Sequence, residues 1–92
     1  MDKREKLHAM EKMLRGVDDI VNTQTSLLKK IAQIEVENIN IGNSVLEKQI
    51  PDILAKSDET LALATKLQSE FTSSKDKFIK DNKLEEVIPE GQ

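Results

Sequence analysis

The chain has no cysteine, no tryptophan and no tyrosine in 92 residues, and only two phenylalanines, two prolines and three glycines. Without cysteine, neither a disulfide framework nor a thiolate metal site is available, and the lack agrees with a reducing compartment. The scarcity of aromatics removes the stacking platforms that single-stranded nucleic acid uses. Gly16, Gly42 and Gly91 are too scattered to form a phosphate-cradling loop. No apolar run approaches the ~20 residues of a membrane-spanning helix. The opening residues Met1-Asp2-Lys3-Arg4-Glu5-Lys6 are not followed by the apolar core of a cleaved export signal. Together these features predict a cytoplasmic protein, the alternative being one secreted without a signal peptide.

Reactive groups are equally scarce. His8 is the only histidine, so zinc would lack its further nitrogen or sulfur ligands, and no serine has another imidazole to call on. Acidic neighbours such as Asp18-Asp19, Glu35/Glu37 and Asp58-Glu59 are what a solvated helix face carries. General acid–base work needs a pocket that shifts a carboxylate's pKa. The expectation is no enzyme, no catalytic residue, no metal site and no cofactor. Net charge is −3, with seven basic and seven acidic residues up to Ile41 and seven and ten after it. No basic block exists for phosphate contacts, which argues against nucleic acid. Mixed charge signs and few bulky aromatics do not suit a lipid surface either.

What the chain does have is spacing. Met10, Met13, Val17, Ile20, Gln24, Leu27, Ile31, Ile34, Asn38 and Ile41 recur at alternating three- and four-residue steps. Leu46, Ile50, Ile53, Ser57, Thr60, Ala64, Leu67, Phe71, Ser74 and Phe78 repeat the pattern. This is the seam of a coiled-coil-like helix. Gly42 separates two arms of nearly equal length. It can take the left-handed conformation that ends a helix, and Asn43 or Ser44 can cap the next. The predicted fold is all-α, a long antiparallel helical hairpin over residues 1–82. Helix one runs from about 2 to 40, the turn over 40–44, and helix two from about 44 to 82. Residues 83–92 read as a flexible tail, or else as a short docking segment through Leu84, Val87 and Ile88. Pro51 either bends helix two or starts its main part, and the unbroken spacing of Leu46, Ile50 and Ile53 favours a bend.

The apolar face is wider than a two-stranded seam. With Met10, Val17, Gln24 and Ile31 lettered a, and Met13, Ile20, Leu27 and Ile34 lettered d, the residues Leu7, Leu14, Val21 and Leu28 all fall at e. Leu54 and Leu61 widen the second arm in the same way. Three apolar positions in seven belong to a helix in a bundle, and one hairpin would leave a flank of each helix in water. This predicts a protein partner: a second copy completing a four-helix bundle, or another helical protein. The expected role is a non-enzymatic adaptor or structural subunit acting through protein–protein interaction. Five polar residues interrupt the stripes: Gln24, Asn38, Ser57, Thr60 and Ser74. Gln24 is placed to hydrogen-bond Thr60 across the seam, with a partly wet flank as the alternative. Phe71 is expected opposite Leu14 and Met13, and Phe78 opposite Leu7 and Met10. Val36 and Ile39 project off the stripe beside the turn, which suggests that something covers this end.

In size and plan the chain resembles the small Trp-x-Gly helical hairpins of type VII secretion, which dimerise into four-helix bundles. Their turn motif falls at Asn40-Ile41-Gly42, where the glycine matches and asparagine replaces tryptophan. Their C-terminal aromatic-xxx-acid signal has no counterpart, since Phe71 is followed by Lys75 and Phe78 by Asn82. The resemblance implies the alternative role of a small secreted hairpin or an export-targeting partner. The heptads also resemble those of small coiled-coil subunits in kinetochore or organelle-biogenesis assemblies.

Overall fold

In a computed structural model, which describes residues 1–84, two long helices run antiparallel: α1 over Lys3–Ile41 and α2 over Ser44–Asp81. The molecule measures 60 × 22 × 18 Å, so it is a rod two helices wide.

Each helix end has local chemistry that fixes it. Asp2 caps α1 through a reciprocal box: its Oδ1 accepts from the Glu5 N–H at 2.8 Å, and Glu5 Oε1 accepts from the Asp2 N–H at 2.9 Å. Two of the four unpaired donors at the helix start are thereby satisfied. Gly42 ends α1 at φ +70°, and its N–H donates to the Asn38 carbonyl at 2.7 Å. A side chain there would meet no neighbouring atom, so glycine is required by backbone conformation alone. Asn43 starts α2, its side-chain oxygen accepting from the Val45 and Leu46 N–H groups at 3.0 and 3.2 Å. At the far end Asn82 closes α2, and Lys83 turns the chain with φ +55°.

The turn is held by one buried side chain. Asn38 is 6 % exposed. Its amide nitrogen donates to the Asn43 carbonyl at 3.1 Å, and its oxygen accepts from the Asn43 N–H at 2.9 Å. The carboxamide thus pairs both backbone groups of the capping residue, which is how a polar group can be buried without cost. Because Asn38 points at the turn, the row of α1 that contains it must face α2.

α2 continues through Pro51. The missing N–H leaves the Glu47 carbonyl without its ordinary helical partner. Leu84 is buried and lines one recess with Met1, Asp2, Lys3, Arg4 and Lys6. Val87, Ile88 and the tail from 85 to 92 lie outside the described residues.

Candidate interaction face

The residues that α1 turns to α2 are Leu7, Met10, Leu14, Val17, Val21, Gln24 and Leu28, all half-buried, together with buried Ile31 and Asn38. From α2 come buried Ile50, Ser57 and Ala64, with half-buried Leu46, Leu54, Leu61, Gln68, Phe71 and Phe78. The observed seam therefore pairs the rows lettered a and e from the sequence. The row lettered d is displaced from it. Met13, Ile20, Leu27, Ile34, Ile53 and Leu67 are between 36 and 54 % exposed, and Ile41 is 75 % exposed. Thr60 and Ser74, which continue this row on α2, are exposed as well. This corrects the placement of the d row in the hairpin seam. The Asn38 bonds at the turn and the Gln68–Asp18 bond both accompany this rotation of the helices.

Thr60 requires a second correction. Its hydroxyl donates to the Lys56 carbonyl at 2.9 Å within its own helix, and the exposed Thr60 makes no bond to Gln24, which leaves the partly wet flank. The ion pairs also differ from the helix-surface pairs Glu11–Arg15 and Asp52–Lys56 that the spacing offers. Among the described residues the ion pair present is Lys77–Asp81 at 2.7 Å, and His8 Nδ1 lies 3.8 Å from Glu11 Oε1. The Asp81 hydrogen bond, and then its charge, hold the fully exposed Lys77 ammonium protonated to higher pH than usual.

Lettered on the observed seam, the Leu7 row becomes a, the Met10 row d and the Met13 row g. On α2 the Leu54 row is a, the Ile50 row d and the Ile53 row g. In an antiparallel pair, equal offsets from the seam on the two helices fall on the same side. Both g rows consequently lie on one face of the rod and both e rows on the other. The two faces differ in chemistry. The e side carries Glu11, Asp18, Thr25 and Ala32 on α1 and Thr72 and Ile79 on α2, all half-buried, together with exposed Ile39, Pro51, Asp58 and Thr65. A hydrogen bond from Gln68 Nε2 to Asp18 Oδ1 at 2.7 Å ties the helices together there. The Thr25 and Thr72 hydroxyls bond to the Val21 and Gln68 carbonyls. The hairpin is thus tied across its more polar flank at Asp18 and Gln68 and leaves the row of Met13, Ile20, Leu27 and Ile34 in water. No known protein family, curated protein or solved structure matches the chain.

The open face gains further apolar surface from Leu63, 61 % exposed, in the row beside g on α2. The seam reading passed over Leu63, although its proximity to Leu67 and Ile53 on a helical wheel is a usable signal. It also missed the Gln68–Asp18 bond, since two polar residues off the apolar pattern give no sign of contact. Val36 and Ile39 are exposed at 62 and 76 % and belong to neither g row.

The surface offers little to a small molecule. A recess of about 190 Å³ beside the turn is lined by Glu35, Asn38, Ile39, Leu46, Glu47, Ile50 and Pro51, and the wider ones, up to about 720 Å³, are open depressions on the surface of the rod rather than enclosed pockets. No group of three potential metal ligands occurs among the described residues. No described helix is long and apolar enough to cross a membrane.

Proposed function

We propose that this protein is a non-enzymatic helical interaction module that joins another helical surface through the face formed by its two g rows. The observation that carries this reading is the inversion of burial: Met13, Ile20, Leu27, Ile34, Ile53 and Leu67 face water while Asp18, Thr25 and Gln68 are half-covered. Burying the exposed half of each such side chain is worth about 1 kcal/mol, and an apolar face of this length is a feature of docking surfaces. The hairpin's own core is small in comparison. Among the described residues, Ile31, Ile50, Ala64 and Leu84 are the buried apolar ones, and no large side chain is fully buried. Chains of this size are marginal without further burial.

The test compares the intact chain with the Ile20→Glu/Ile34→Glu variant by circular dichroism and native mass measurement of the complexes each forms. Association by the natural chain, and loss of it by an equally helical variant, is the expected result. A natural chain that stays folded and forms no complex, with itself or with any other protein, would overturn the reading.

A further inference from the structure

We infer that the occupant of the open face is a second copy of this chain, packed face to face with the two turns at opposite ends. The inference rests on the functional reading above and adds the partner and its orientation.

Area is the first support. From Met13 to Ile41 the g row of α1 extends about 42 Å at 1.5 Å per residue, and the rod is 22 Å wide. The face is thus on the order of 800 Å², close to what each partner contributes to a stable interface.

Charge is the second. Lys30 and Glu37 border the face on α1, and Lys56 and Glu70 border it on α2. With Lys77 as a second cation on α2, both edges carry mixed signs, so neither presents the single-signed field that a polyanion or an acidic lipid surface would match.

The order of residues selects the orientation. Asp18 and Gln68 are level, as their hydrogen bond shows, so Ile34 lies level with Ile53, Leu27 with Thr60 and Ile20 with Leu67. If both turns lay at one end, α1 would cross α2 of the second copy at equal height. Ile20 would still meet Leu67 and Ile34 would meet Ile53, but Leu27 would meet Thr60, Met13 would meet Ser74, and Lys30 would lie beside Lys56. With the turns opposed and the two-fold axis near Leu27, each helix meets its own counterpart. Leu27 then packs on Leu27, Ile20 on Ile34 and Met13 on Ile41, while on α2 Ile53 packs on Leu67. Thr60 meets Thr60 with its hydroxyl already bonded to the Lys56 carbonyl, so no donor is left unpaired. Lys30 falls beside Thr23, and Lys56 can lay its aliphatic stem on Leu63.

Because the chain lacks cysteine, a single Ser44→Cys substitution gives one clean attachment point for a spin label beside the turn. Sedimentation equilibrium at micromolar concentration should show twice the 10.4 kDa chain mass. Label-to-label distance should be about 45 Å with the turns opposed and about 20 Å or less with them together. Ile20→Glu/Ile34→Glu should weaken dimerisation about 100-fold or more, while Val45→Glu, exposed on the back of α2, should leave it unchanged. A dimer that survives the double substitution, or labels about 20 Å apart, would overturn the inference. So would a monomer that binds only a different helical protein, although that result would leave the functional reading standing. A folded monomer that binds nothing would end both.

Discussion

At the scale of single residues, Asn38 contributes more than its type suggests. An asparagine in an apolar row ordinarily weakens a helix seam. Here it pairs both backbone groups of Asn43 at 2.9 and 3.1 Å and so aims its whole row at α2. Asn38→Ala would strip the Asn43 N–H of its partner and leave the Asn43 carbonyl only the Glu47 N–H, at a cost of about 1–3 kcal/mol. The midpoint of urea unfolding should fall accordingly, while Asn40→Ala, at an exposed position two residues on, should change it by under about 0.5 kcal/mol. Equal effects at the two sites would show that the Asn38 bonds do not hold the turn. The sequence shows Asn38 as a polar interruption of a stripe. Its partner is not legible, because pairing a side chain with the backbone five residues later requires the left-handed turn at Gly42 to be in place.

At the scale of the helices, the architecture is legible for plain physical reasons. Asp2 signals a start, Gly42 a stop and Asn43 or Ser44 a restart, and between them the apolar spacing stays helical. The rotation of each helix about its own axis is harder to read. With Leu7, Met10 and Met13 starting three adjacent apolar rows, periodicity alone permits either of two seams. The polar flank decided between them, through Gln68–Asp18 and the turn. Pro51 is the one local conflict inside α2. It removes a helical hydrogen bond to the Glu47 carbonyl, which in a helix interior costs about 3 kcal/mol relative to alanine. Proline also restricts the unfolded chain, which offsets about 0.4–1 kcal/mol. Pro51→Ala should therefore raise stability by about 2 kcal/mol in chemical denaturation. A variant no more stable than the natural chain would show that the surrounding turn already accommodates the proline, through water on the Glu47 carbonyl or a local bend.

At the scale of the whole molecule, shape and burial have one consequence that thermal unfolding can read. A rod of 60 × 22 × 18 Å with Ile31, Ile50, Ala64 and Leu84 as its buried apolar residues has little cohesion of its own. If the g face closes against a second copy, the added stability depends on protein concentration by mass action, each tenfold step contributing about 1.4 kcal/mol per dimer. For a chain of this length, about 1 kcal/mol moves the unfolding midpoint by roughly 4–8 °C. Raising the concentration from 1 to 100 µM should thus raise Tm by several degrees, a range in which dimerisation of typical strength is incomplete at the lower end. The Ile20→Glu/Ile34→Glu chain should unfold at a lower temperature that no longer moves with concentration. A Tm that is flat for the natural chain as well would mean that the hairpin's stability is intramolecular. The exposed isoleucines and leucines would then be tolerated by Asn38, the two caps and the polar flank together, and the surplus apolar width seen in the sequence would have lost its physical motive.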